Sequence, residues 1–162
     1  MRIAVSACLL GEACRYDGHS KPCARVQELV ALGHELVPVC PEVAGGLPTP
    51  RTPCEIVRSP WMKGKKAHTA NERSWTILDA SGADRTAAYA RGAQAELARA
   101  KEAGCELAIL KAKSPSCGSG EVYDGTFSGT LVPGWGIAAA TFRDAGITVI
   151  DETADFSRLA NG

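Results

Sequence analysis

The segment LAILKAKSPSCGSG, residues 107–120, decides the fold because an apolar run gives way abruptly to a polar loop. Its first four residues, Leu107 to Leu110, predict a buried strand. Cys117 therefore lies on a loop rich in Gly, Ser and Pro at the carboxyl end of that strand. In open α/β sheets, ligands bind at this edge. The loop is thus a candidate functional site.

Two further cysteines follow apolar runs in the same way. Cys8 follows Ile3-Ala4-Val5, and Cys40 follows Leu36-Val37-Pro38-Val39. Both runs predict strands, so each of these thiols also stands at a strand's carboxyl end. If the three strands are neighbours in a parallel sheet, Cys8, Cys40 and Cys117 meet at one edge.

The order of the elements predicts an α/β protein, a single-domain Rossmann-like three-layer fold with a mostly parallel sheet over residues 1–162. Strands are predicted at 2–7, 35–39, 54–57, 106–110 and 147–150, and helices at 22–32, 83–103 and 137–145. Arg58 to Arg73 is polar and basic and predicts a hairpin or an excursion. The apolar face of helix 22–32 is expected to comprise Val26, Leu29 and Val30. That of helix 83–103 is expected to comprise Ala88, Ala95 and Leu97.

Composition narrows the class of protein. The chain has 18 basic and 18 acidic residues and a formal net charge of zero, so bulk nucleic-acid binding is not expected. No apolar run approaches the roughly 18 residues that would span a membrane. Only seven residues precede Cys8, against roughly 15 to 30 for a secretory signal. We therefore expect a cytoplasmic protein.

Seven cysteines are many for such a chain, and their odd number prevents complete pairing in disulfides. In a reducing compartment, cysteines indicate metal binding or catalysis. Three thiolates around a crevice suit a soft metal, meaning iron–sulfur, zinc or copper(I). Cys14, six residues after Cys8, is either a fourth ligand, a redox neighbour or neither. Cys105, Cys23 and Cys54 are expected to be small buried apolar residues.

Polar residues beside two of these cysteines are candidates for catalysis. Glu42, two residues after Cys40, is a candidate general acid or base. The alternative is a solvated loop carboxylate or a helix cap. Ser114 and Ser116 are placed to bind an oxyanion or an attacking water, or else they form a turn. Candidates for stacking on a planar substrate are Tyr16, Phe127 and Trp135.

Several motifs, taken together and in order, resemble the DUF523 family. They are SACLLG at 6–11, CRYDG at 14–18, CPE at 40–42, GGL at 45–47, PR at 50–51, KSPSCG at 113–118, YDG at 123–125 and FSG at 127–129. Characterised members of that family are thiouracil desulfidases that carry a [4Fe-4S] cluster on three cysteines. Larger relatives with an added domain act on thiouridine in tRNA. Cys54 departs from the family pattern, which usually has another residue there.

The resemblance implies that Cys8, Cys40 and Cys117 hold a [4Fe-4S] cluster and that Glu42 and Ser114 are catalytic. It implies a hydrolytic desulfidase for a small thiopyrimidine, 2- or 4-thiouracil, with uracil and hydrogen sulfide as products. The thiocarbonyl sulfur would bind the open iron while Glu42 deprotonates water and Ser114 positions it or relays a proton. Two alternatives stay open: a desulfurase acting on thiouridine in tRNA, and a non-catalytic metal or sulfur carrier.

Overall fold

A computed structural model describes residues 1–58 and 75–161 of the chain. The strands are β1 Arg2–Ser6, β2 Glu35–Val39, β3 Cys54–Arg58, β4 Trp75–Asp79, β5 Leu107–Leu110, β6 Ser119–Tyr123, β7 Leu131–Trp135 and β8 Thr148–Asp151. The α-helices are α1 Ala24–Gln27, α2 Pro41–Ala44, α3 Thr86–Glu102, α4 Ile137–Asp144 and α5 Ser157–Ala160. The excursion expected at Arg58 to Arg73 lies, apart from Arg58, outside the described residues.

The central sheet contains four parallel strands in the order β2-β1-β5-β8. β1 lies between β2 and β5, with Val5 opposite both Pro38 and Ile109. The chain leaves β1 toward β2 on one side and later returns to place β5 on the other. This reversal is the kind of switch point beside which ligands bind in open α/β sheets. The predicted α/β fold with a parallel sheet is confirmed.

Alternating side chains of the sheet pack into separate layers. Ala4 and Ala108 point to the side of α3 and α4 and pack in one buried cluster with Phe142. Ile3 and Ile109 point the other way, into a cluster beside α1 and α5. Residues on one strand alternate between the two faces of a sheet, so both faces of this sheet are covered by helices. The result is the three-layer arrangement predicted.

Two antiparallel hairpins stand beside the central sheet: β3 pairs with β4, and β6 pairs with β7. The β6–β7 hairpin was not expected, because the stretch 119–135 is rich in Gly and contains Pro133. Glu121 faces Pro133 in a sheet of two strands, where a proline can lie on an edge. Ile56, Val122 and Ile137 join the hairpins to α3 and α4 through a third buried cluster.

The buried faces of two helices differ from those expected. The α-helical turn of α1 continues as a 3-10 helix over Glu28–Val30, and Val30 is 59% exposed. A 3-10 helix has three residues per turn, so Val30 no longer shares the face of Val26. In α3, Ala95 is exposed. The Ala-rich sequence hides the true buried stripe, which comprises Tyr89, Gly92, Ala93, Glu96, Leu97 and Ala100.

Candidate metal centre and active site

The three strand-end cysteines meet in one cavity of about 400 Å³, whose lining includes Cys8, Cys40 and Cys117. Cys8 lies in a short 3-10 helix directly after β1, and Cys40 directly follows β2. Cys117 lies in the loop after β5. Because β1 is flanked by β2 and β5, the carboxyl ends of the three strands adjoin. The convergence predicted from the sequence is therefore present, and the cavity volume is typical of a small-molecule site.

A fourth thiol, that of Cys14, lines the same cavity. The Cys40 thiol donates a hydrogen bond to the carbonyl oxygen of Cys14, with an Sγ–O distance of 4.0 Å. The pKa of Cys14 is raised to about 11: contact with Cys40 lowers it, but contact with Cys8 and burial outweigh that effect. Cys14 is thus a neighbour of two of the proposed ligands, as the six-residue spacing allowed.

The surroundings of Cys40 and Cys117 favour the protonated thiol over the thiolate in the metal-free protein. Contact with Cys14, and then burial, raise the pKa of Cys40. Burial raises the pKa of Cys117 to about 12, although hydrogen bonds from Ser6 and Ser116 oppose the shift. Metal ligands bind as thiolates, so binding at these positions must release protons.

The donor set is one that can hold an iron–sulfur cluster. Among the residues that the structure describes, no three His, Cys, Asp or Glu side chains are grouped to hold one metal ion. A cubane cluster is held differently, because each cysteine ligates a different iron and the thiols stand around it rather than at one point. Three buried or half-buried thiols lining one cavity satisfy that requirement.

Glu42 faces this cavity and is held by three hydrogen-bond donors. Pro41 begins the short helix α2, which places Glu42 in its first turn. Oε1 accepts hydrogen bonds from Arg51 Nε at 3.0 Å and from the Tyr89 hydroxyl at 2.9 Å. Oε2 accepts a hydrogen bond from the Ser116 hydroxyl at 2.8 Å. Its side chain is only 15% exposed, so it is not the solvated loop carboxylate considered as the alternative.

Ser114 and Ser116 form a chain of hydroxyls that ends at this carboxylate. The two Oγ atoms are 2.9 Å apart, and Ser116, which is buried, contacts Glu42 directly. Ser114 Oγ also accepts hydrogen bonds from the backbone N–H groups of Ser116 and Cys117, each at 3.1 Å. Ser114 is thus connected to Glu42 only through Ser116. The sequence alone did not show which of the two serines contacts Glu42 directly.

Two residues at the site, Arg51 and Tyr89, were not singled out from the sequence. The Arg51 side chain is 5% exposed and donates from Nη2 to the carbonyl oxygen of Cys14 at 2.8 Å. It therefore joins Glu42 to the loop that carries Cys14. Burial and the neighbouring charge of Glu42 raise the pKa of Tyr89, which keeps its hydroxyl protonated as a donor. The motif PR at 50–51 was a signal for Arg51, whereas Tyr89 stands in an Ala-rich helix without one.

Of the aromatic candidates, Tyr16 lines the cavity and is 42% exposed. Trp135 instead packs against the core, with the Arg143 guanidinium 4.5 Å from its ring. Phe127 lies on an exposed turn, and its N–H donates to Glu55 at 3.2 Å. Tyr16 is therefore the member of this set placed to stack on a bound planar ring.

The structure bears only in part on the expectations about membrane spans and nucleic-acid binding. In the described ranges, none of the helices is long and apolar enough to cross a membrane. The basic residues on which a nucleic-acid alternative depends, Lys63, Lys65 and Lys66, lie outside those ranges. The absence of bulk nucleic-acid binding and the cytoplasmic location remain predictions.

Comparison with known proteins finds relatives that match nearly the whole chain. The uncharacterised protein YbbK of Bacillus subtilis (strain 168) is 43% identical over 150 residues, which are 93% of this chain and 95% of YbbK. A solved structure titled [4Fe-4S]-dependent thiouracil desulfidase TudS (DUF523Vcz) is 42% identical, with a TM-score of 0.77, and the match covers 94% of this chain and 91% of that one. The model of the 2-thiouracil desulfurase family matches residues 3–154. The resemblance found in the sequence is confirmed, and the chain belongs to the 2-thiouracil desulfurase family.

Proposed function

We propose that this chain is a [4Fe-4S]-dependent desulfidase that converts 2- or 4-thiouracil and water to uracil and hydrogen sulfide. Cys8, Cys40 and Cys117 hold the cluster, and Glu42 and Ser114 are catalytic. The observation that carries the proposal is that three strand-end thiols line one cavity beside a Glu42–Ser116–Ser114 hydrogen-bond chain. Membership of the 2-thiouracil desulfurase family and the likeness to TudS support the reaction and the cofactor.

When bound, the cluster supplies an iron without a protein ligand, a Lewis acid with affinity for the sulfur of a thiocarbonyl group. The cavity, at about 400 Å³, accommodates a pyrimidine ring beside the three thiols, with Tyr16 at its lining to stack on the ring. Because this volume is at the small end of the range for small-molecule sites, we expect a free or lightly substituted thiobase. The family does not favour the alternative of a tRNA-directed desulfurase.

Glu42 accepts the proton of the attacking water. Arg51 and Tyr89 both occupy Oε1, so Oε2 is the atom available to receive a proton. Ser116 is bonded to Oε2 and to Ser114, and a proton released in the cavity can therefore reach the carboxylate through two hydroxyls. The water oxygen adds to the ring carbon, the C–S bond breaks, and the electron pair leaves with sulfur. No electron is gained or lost overall, which makes the reaction hydrolytic.

The test is anaerobic reconstitution followed by iron and sulfide counts and incubation with 4-thiouracil and 2-thiouracil. We expect about four irons per chain and release of sulfide with formation of uracil. Cys8→Ala, Cys40→Ala and Cys117→Ala each lose the cluster. Cys105→Ala serves as the matched control, because Cys105 is buried in the core away from the cavity lining.

Glu42→Gln tests whether Glu42 is needed for turnover independently of cluster binding. The variant keeps the side chain's size, retains iron and loses turnover, because an amide cannot accept the proton. Full activity in this variant would refute the role of Glu42 as base. A wild-type protein that takes up no iron, under conditions that load a known cluster protein, would overturn the proposal as a whole.

A further inference from the structure

Glu96 is a buried carboxylate that the proposed reaction does not use. Its side chain is 3% exposed, although it belongs to α3 and has Arg99 as an ion-pair partner three residues later. Arg99 Nη1 contacts both carboxylate oxygens, at 2.8 and 2.9 Å, yet the Arg99 side chain is 56% exposed. Burying a carboxylate is costly unless it is fully paired. The ion pair with Arg99, which lies at the surface, therefore does not by itself explain why the Glu96 carboxylate is buried.

The second partner of Glu96 is the backbone of a proposed cluster ligand. Cys40 N–H donates to Glu96 Oε2 at 3.0 Å, across 56 positions of sequence. The amide of Cys40 stands at the start of α2, where the first N–H groups of a helix lack partners within the helix. Glu96 accepts one of them and so fixes the backbone from which the Cys40 thiol projects into the cavity.

The contact is one of three that successive turns of α3 make with the same motif. Tyr89 donates to Glu42, and Gly92 packs against Pro41 so closely that a Cβ would lie 1.7 Å from the Pro41 carbonyl oxygen. Glu96 then meets Cys40. Residues 89, 92 and 96 lie on one face of a helix because they are three and four positions apart. One face of α3 thus sets the position of each residue of the CPE motif.

We infer that Glu96 is a positioning residue for the metal centre: its buried carboxylate holds the Cys40 amide and places the negative end of the Glu96–Arg99 pair beside the cluster. The inference rests on the proposed assignment of Cys40 as a ligand. Residues that bond to metal ligands orient them and tune the metal. A negative charge nearby stabilises the oxidised cluster relative to the reduced one, because reduction adds another negative charge.

The experiment measures the reduction potential of the reconstituted cluster in Glu96→Gln, with Glu102→Gln as the matched control. Glu102 ends α3 and is exposed, so both variants remove one carboxylate from the same helix. Glu96→Gln keeps an oxygen that can accept the Cys40 N–H. It should therefore load iron as the wild type does and show a higher potential, whereas Glu102→Gln should leave the potential unchanged.

Arg99→Gln keeps the inference testable if Glu96→Gln folds poorly, because the Arg99 side chain is mostly exposed and a glutamine amide can still donate to the Glu96 carboxylate. Removing the positive partner should shift the potential downward, opposite to Glu96→Gln. Glu96→Ala, which also loses the acceptor, should retain iron against a chelator about 10- to 100-fold less well. If Glu96 had only a structural role, the reduction potential would not shift in opposite directions in Glu96→Gln and Arg99→Gln.

The outcomes separate this inference from the proposed function. A wild-type cluster whose potential is the same in Glu96→Gln and Arg99→Gln overturns the role of Glu96 and leaves the desulfidase intact. A wild-type protein that binds no cluster overturns both. Opposite shifts in the two variants, with an unchanged control, support the assignment of Glu96.

Discussion

The Tyr89 hydroxyl donates a hydrogen bond of 2.9 Å to Oε1 of Glu42, joining α3 to the first turn of α2 across 47 positions of sequence. Tyr89 is 1% exposed and its pKa is raised, so the phenol acts as a donor rather than as a phenolate. Together with Arg51 it occupies one carboxylate oxygen and leaves the other to Ser116. In the proposed reaction, this division makes Oε2 the oxygen of Glu42 that would receive a proton through Ser116.

Tyr89→Phe removes that donor and keeps the ring. A hydrogen bond to a charged group is worth about 1.5–3 kcal/mol, so we expect turnover of thiouracil to fall at least about tenfold. Glu42 keeps Arg51 and Ser116 as partners, and the iron content should therefore stay at the wild-type value. Steady-state turnover and iron counts on the same preparation measure the effect. Wild-type turnover would show that Tyr89 does not orient the carboxylate.

Ser116→Ala interrupts the connection between Ser114 and Glu42. If the proton passes through both hydroxyls, Ser116→Ala and Ser114→Ala each lower turnover by about 100-fold or more, the usual range for general acid–base groups. The double variant should lose little more than either single variant, because members of one relay are not additive. Single-turnover rates of the cluster-loaded variants provide the comparison. Independent, multiplying losses would indicate that the two serines act separately.

Gly92→Ala tests the close packing of α3 on α2. Alanine is usually better than glycine within a helix by about 1 kcal/mol. Here the added Cβ would lie 1.7 Å from the Pro41 carbonyl oxygen and 2.9 Å from the Gly45 nitrogen. We expect a net loss of about 1–3 kcal/mol in the free energy of unfolding, since overpacking costs that much, together with reduced iron uptake.

Urea denaturation of the metal-free protein and iron counts after reconstitution check the Gly92 prediction. The control is Ala95→Gly, on an exposed position of the same helix, which should lose about 1 kcal/mol by helix propensity and keep its iron. Gly92→Ala protein as stable and as iron-rich as the wild type would mean that α2 shifts without consequence for the site.

Asp79 links stability to pH through a turn that is not part of the cavity lining. Its Oδ1 accepts hydrogen bonds from the Ser81 hydroxyl and from the Ser81 and Ala83 N–H groups, and Oδ2 accepts one from Arg85. These contacts, led by the Ser81 hydroxyl, lower the pKa of Asp79 although burial opposes the shift. A carboxyl whose pKa is lower in the folded state stabilises the protein above its unfolded pKa, near 3.9.

The stabilisation by Asp79 is therefore complete at neutral pH and is lost as the pH falls through the folded pKa. Asp79→Asn should lower the urea midpoint of the metal-free protein at pH 7 and flatten its decline as the pH falls below about 4. Glu121→Gln, an exposed carboxylate on β6, is the control and should leave both unchanged. An Asp79→Asn protein that declines with acid as steeply as the wild type would contradict this account.

The sequence by itself determined three strands of the central sheet and the thiols that follow them. Apolar runs ended by Gly- and Pro-rich loops mark β1, β2 and β5, and parallel strands bring their carboxyl ends to one side. Cys8, Cys40 and Cys117 could therefore be grouped before any contact was known. Glu42 was found from its place two residues after Cys40, and the family from motifs in chain order.

The tertiary structure alone decided which groups hold that site. Tyr89, Gly92 and Glu96 lie in an Ala-rich helix whose weak hydrophobic contrast does not reveal the buried face, and Ala95 was wrongly placed on it. Their contacts with Cys40 to Glu42 depend on how closely α2 approaches α3, and Gly92 in α3 and Gly45 directly after α2 permit that approach. Local periodicity carries no information on such an approach, because hydrogen-bond partners about 50 positions apart are chosen by packing.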